Sequence, residues 1–299
     1  MGLFFSSDRF TRPGPGVRPD APRKKGVARL AEIMGRDMWN FFRAGFLAFL
    51  GCLPFIIGMF FAVETHALLF MLLAGIIGGL IAGPELSAMA DTVLRSLRDE
   101  PGYWWETYRR VWKRNARESP VPGMLTGLVL SMQIFTLFHM SVISAGIVTW
   151  VLLILGFVVT LGLESYIWPQ IALLDLPLYG ILKNSLLLFL GYLPRSLGAI
   201  AIKAVYWGPI LLFFPLTTII LPFTNFWLPM LPALLCIYQP LNKCFTIEST
   251  INKMREDELN AALAKDNEPL PEDPTERAEE STEASSGDSS SDDVKKSLY

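Results

Sequence analysis

The chain has 299 residues, of which 52% are hydrophobic and 18% charged; an ordinary soluble domain carries about 25% charge, so a purely soluble globular fold is excluded. The formal charge of −2 hides two opposed regions, because residues 256–299 hold 14 Asp/Glu against 4 Lys/Arg and leave the rest of the chain at +8. The basic clusters abut long apolar runs, which suits lipid headgroups and sets nucleic-acid binding aside.

Residues 1–30 contain Arg9, Arg12, Pro13, Pro15, Arg18, Pro19, Pro22, Arg23, Lys24 and Lys25 without a long apolar core. They are expected to be a flexible basic arm and not a signal peptide. A membrane-spanning helix needs about 20 mostly apolar residues. The intervals 39–62, 67–90, 121–143, 145–168 and 196–238 supply them, the last being long enough for two passes. The fold expected over residues 31–245 is therefore an all-α bundle of six transmembrane helices with amphipathic elbow helices on the cytoplasmic side. Cys52 and Cys236 fall within apolar runs and Cys244 just beyond one, so no disulfide is predicted.

The first span enters with Trp39, Asn40 and Arg43, an interfacial belt. The second carries Gly75, Gly79 and Gly83 on one face, which lets a neighbouring backbone approach closely. That face serves packing within the bundle, with a moving helix or a homo-oligomer seam as the alternative. Residues 103–118 form an amphipathic helix. Trp104, Tyr108, Val111, Trp112 and Asn115 share one side, and Arg109, Arg110, Lys113, Arg114 and Arg117 cover the rest. Such a helix lies in the headgroup region or docks a cytoplasmic partner. Trp150 and Trp168 bracket the fourth span, and residues 178–192 are expected to run along the inner leaflet with Lys183 and Asn184 on the wet side. Pro209, Pro215, Pro222, Pro229 and Pro232 predict kinks in the last two spans. Residues 246–299 are a short charged helix followed by an acidic Ser- and Pro-containing tail that cannot bury a core.

Threading the first helix inward to outward puts nearly every Lys and Arg on one side and none on the other. The positive-inside rule then predicts a multi-pass cell-membrane protein with both termini in the cytoplasm.

The motifs Gly83-Pro84 with Ala88, Arg98-Asp99-Glu100, and Trp104, Tyr108, Trp112, Asn115 resemble the YesL-like bacterial membrane proteins. Asp175-Leu176-Pro177, Leu182-Lys183-Asn184 and Leu193-Pro194-Arg195 are similar to that family's second half, so the resemblance covers roughly 35–245. It implies an accessory role beside a carbohydrate ABC uptake system or its sensor, and it brings no catalytic residues with it. The basic arm, the acidic tail and Lys203 inside the fifth span depart from the family pattern.

No phosphate loop, nucleophile elbow or H-E-x-x-H motif occurs, and the reading is of a non-enzyme without cofactor. Glu64, His66 and His139 share the outer side, yet short-loop histidines are usually solvated, so no metal is expected. The intramembrane charges remain. Lys203 lies eight residues past Arg195, roughly 12 Å along a helix at 1.5 Å per residue, and needs a counter-ion, with Glu85 or Glu164 as candidates. Two functions follow: an accessory protein that docks a permease or a sensor kinase through the glycine face and the Trp104 helix, or a stand-alone carrier of a small solute using Lys203 with Glu85 and Glu164.

Overall fold

The computed structural model describes residues 23–266 apart from 101, 141, 143–145 and 225. Most of the basic arm and the acidic tail beyond residue 266 lie outside the described residues. All regular structure among the described residues is helical: α1 (Gly26–Thr65), α2 (Leu68–Arg98), α3 (Trp104–Asn115), α4 (Pro120–Phe138), α5 (Ile147–Leu173), α6 (Leu178–Gly191), α7 (Leu193–Leu212), α8 (Trp227–Phe245) and α9 (Ile247–Asp266). A 3₁₀ turn at Leu216–Ile219 and a single helical turn at Leu221–Thr224 join α7 to α8. From Glu248 onward α9 belongs to a separate unit.

Helices α1, α2, α4 and α5 are long and apolar enough to cross a membrane, and α6 with α7, bent by 101° between them, count as a fifth if the pair is one span. This set fits a helical multi-pass membrane bundle. Helix α8, where a sixth pass was expected, falls outside it, because Pro232, Gln239, Pro240, Asn242 and Lys243 dilute its apolar run.

Element boundaries follow local chemistry. Helix α1 begins at Gly26, well before the first apolar run, so the expected boundary of the flexible arm at residue 30 falls inside a helix. It ends on His66 in the left-handed region at φ 54°, and α2 ends the same way on Asp99 at φ 59°. Pro120 opens α4 and Pro194 sits in the first turn of α7, places where a missing N–H costs nothing. Leu174 and Pro177 are extended and separate α5 from α6.

Helix α2 is the centre of the bundle. It packs on α1, α3, α4 and α5, and a π-helical turn at Ala74–Gly78 interrupts it where it meets α1 and α4. Its second half is buried almost without a break from Ser87 to Leu94. Tyr166, Gln170 and Ser196 are also buried. Tyr166 Oη and Ser196 Oγ lie 2.9 Å apart, and Gln170 Nε2 donates to Ser185 Oγ at 2.8 Å, which pins α6 and α7 to α5.

Candidate functional site

At the end of the bundle where α1 starts, three arginines close the last turn of α2. The last carbonyls of a helix have no partner within it and carry partial negative charge. Here Ser96 O accepts from Arg36 Nη2 at 2.8 Å, Leu97 O from Arg29 Nη2 at 3.1 Å, and Arg98 O from Arg23 Nη2 at 3.1 Å. The same guanidiniums converge on the Asp99 carboxylate, Arg29 at 2.6 Å, Arg23 at 3.1 Å, and Arg36 as well. Ser96 Oγ donates to Asp37 Oδ2 at 2.6 Å, and Arg98 forks onto Glu100 at 2.8 and 3.0 Å. Partial burial of Asp99 works to raise its carboxyl pKa, but the hydrogen bonds and charges of Arg36 and Arg29 outweigh it and hold the group below the usual carboxylate range. The sequence marked Arg98-Asp99-Glu100 as a motif; the arginines that answer it sit some 60 to 75 residues earlier and carry no local signal.

Helix α3 docks beside this clasp. The face expected among headgroups turns instead to protein: Tyr108 is 4% exposed and Asn115 1% exposed, with Val111 also buried. Tyr108 Oη donates to Glu85 Oε2 at 2.5 Å, and Asn115 Nδ2 donates to Ser87 Oγ at 3.3 Å, so α2 supplies the polar partners that headgroups would have offered. Burial first, then the Glu85 charge, raises the Tyr108 phenol, which keeps it the donor. Trp104 packs against Tyr108 and under the Arg43 guanidinium, and Arg114 reaches the Ala172 carbonyl at the end of α5 at 2.5 Å. The opposite face is open. Trp105 is 52% exposed, and Tyr103, Arg109, Arg110 and Lys113 are exposed with it; Trp112, on the side of Tyr108 as expected, is nevertheless 37% exposed.

The glycine face is occupied from within. A Cβ on Gly75 would stand 2.7 Å from Leu128 Cα; one on Gly79 would run into the Gly123 carbonyl, and one on Gly83 into that of Ser119. All three neighbours lie on α4 or just before it. On its other side α2 meets α1, where a Cβ on Gly78 would lie 2.6 Å from Phe55 Cα. The face therefore offers nothing to an outside partner, and of the two docking surfaces expected from sequence only the exposed side of α3 is free.

Between α1, α2, α4, α5, α7 and α8 lies a cavity of about 510 Å³. Phe55, Met59, Phe157, Trp207, Phe214 and Met230 typify its walls, and Lys203 and Glu164 are its charged residues. Lys203 is 7% exposed, and its ammonium has one weak bond, 3.5 Å to Leu161 O. The two charges act on one another, yet among the described residues they form no ion pair within 4.0 Å and nothing hydrogen-bonds the Glu164 carboxylate. Glu85, the other expected counter-ion, is not part of the wall; it is taken by Tyr108.

At the far end of α1, His66 Nδ1 and His139 Nε2 are 2.7 Å apart, and His139 Nδ1 lies 2.7 Å from Phe135 O. A carbonyl only accepts, so His139 carries its proton on Nδ1 when neutral, and His66 Nδ1–H must donate to it. The pair is spent on itself. Among the described residues no three His, Cys, Asp or Glu side chains stand together as a metal site. Compared with known proteins, the chain matches no family model, no curated protein and no solved structure.

Proposed function

We propose that this chain is a non-enzymatic, six-pass bacterial cell-membrane protein of the YesL-like kind, with both ends in the cytoplasm. In this reading it is accessory to a carbohydrate ABC uptake system or its sensor and presents α3 as the docking face. The supporting observation is the division of α3. One face is fixed to the bundle through Tyr108, Val111 and Asn115, and the other exposes aromatic rings among cations. Aromatic residues and arginine are the types enriched at protein interfaces. A surface already held rigid loses little freedom on binding. The cations of α1, α2 and α3 gather at one end, which supports the assignment of that end to the cytoplasm.

The triple substitution Arg109→Glu, Arg110→Glu, Lys113→Glu touches only exposed side chains and is expected to leave thermal stability unchanged. It should reduce co-purification of a permease or sensor kinase, after gentle extraction and crosslinking, at least tenfold. Undiminished co-purification, or a wild-type protein that emerges alone, would overturn the docking role. A stand-alone carrier of a small solute using Lys203 with Glu85 and Glu164 is the weaker reading, because Glu85 is bonded to Tyr108 outside the cavity and leaves Lys203 and Glu164 alone as charges on a mostly apolar wall.

A further inference from the structure

We infer that the cavity between α5 and α7 is a binding site for a neutral single-chain amphiphile whose hydroxyl or amide head bridges Lys203 and Glu164. This does not depend on the docking role of α3. A buried ammonium is expected to be paired or fully hydrogen-bonded. Lys203 keeps a single 3.5 Å contact, and Glu164 keeps none, although both face the same space. Side chains of opposite charge that look into one cavity without closing on each other leave room for a group that accepts from one and donates to the other.

The charge balance selects the head. A carboxylate would answer Lys203 and repel Glu164, and an amine would do the reverse. A hydroxyl or an amide is both acceptor and donor and satisfies the pair without adding a charge to an apolar medium. Depth excludes the commonest membrane amphiphiles, because Lys203 sits ten residues into α7 and about 15 Å along it at 1.5 Å per residue. A phosphate head drawn to that depth would lose its hydration. Size points the same way: about 510 Å³ falls within the roughly 300–1,000 Å³ of small-molecule sites. Walls of Phe, Met and Trp then take the chain.

The test uses the full-length protein in phosphatidylcholine nanodiscs, photolabelled with octadecanol carrying a diazirine, with the matching stearic acid and octadecylamine as comparison probes. Saturable labelling of α5 and α7 around Glu164 and Lys203 by the alcohol is expected, with displacement by monooleoylglycerol. Lys203→Met and Glu164→Leu should each lower that labelling at least fivefold, and undiminished labelling in both overturns the inference. A second variant guards against misfolding of the charge variants. Gly208 lines the cavity, and a Cβ there would meet nothing within 4 Å, so Gly208→Leu should fill the space, spare the helix and also block labelling. The inference is overturned if the acid or the amine labels as well as the alcohol. It is equally overturned if labelling does not saturate, or if it persists in Gly208→Leu.

Discussion

Gly79→Val should cost about 3 kcal/mol, the upper end of what overpacking a tight contact costs, and should shift detergent-solubilised protein from a single species toward aggregate. The reason is the nature of the obstacle. A Cβ on Gly79 meets the Gly123 carbonyl, and a Cβ on Gly123 meets the Gly79 carbonyl, so the contact is backbone against backbone with no flexible side chain to yield. Relief requires α2 and α4 to separate along their whole shared face, and α2 cannot retreat because Gly78 is already closed against Phe55 of α1. Gly123→Val should therefore behave like Gly79→Val. Gly208→Ala should behave in the opposite way, since its Cβ would meet open space and alanine is favoured over glycine in a helix by about 1 kcal/mol. Size-exclusion profiles and thermal unfolding in the same detergent check the series. A Gly79→Val protein that elutes and melts like wild type would show that α4 does not seat on the glycine face.

The glycine contact and the buried charges differ in how far the sequence reveals them. A four-residue period of small residues states that some backbone comes close, and it does; which backbone depends on chain path, and α4 lies some 40 residues away. The apolar runs placed the starts of α2, α4 and α5 to within two residues, because hydropathy is a local property, but their ends only to within five to eight. They missed the first part of α1, since Arg29, Glu32, Arg36 and Asp37 interrupt the run, and the partners that make a helix there worthwhile belong to α2. The amphipathic pattern of α3 was plain, but amphipathicity names an apolar face without naming what covers it. Glu85 and Ser87 decided that for protein over headgroups. Lys203 was legible as a cation in need of company, whereas the choice between Glu85 and Glu164 rested on Tyr108 having taken the first.

Asp99→Asn should destabilise the protein by about 2–3 kcal/mol. Removing one member of a buried ion pair commonly costs 3–5 kcal/mol; Asp99 is about a third exposed, and Arg29 keeps Leu97 O and Glu32, which sets the smaller figure. Asparagine holds the left-handed backbone that residue 99 requires, so the loss reads charge and not conformation. Asp99→Ala should be worse by the additional cost, about 1–2 kcal/mol, of a Cβ residue without that tolerance. The pH dependence has a definite sign. The folded carboxyl titrates below its unfolded value of about 3.9, so its contribution is complete above that value and is lost as pH falls through the lower, folded one. Wild type should therefore lose stability on acidification below about pH 4 by an amount that Asp99→Asn no longer shows. Adding Arg29→Met to Asp99→Asn tests the origin of the loss. If the damage is an uncompensated buried guanidinium, the double variant is more stable than Asp99→Asn alone, because the stranded charge has gone as well. If the two losses simply add, Arg29 was held by the carbonyl of Leu97, and Asp99 is a surface neighbour of the clasp and not its centre.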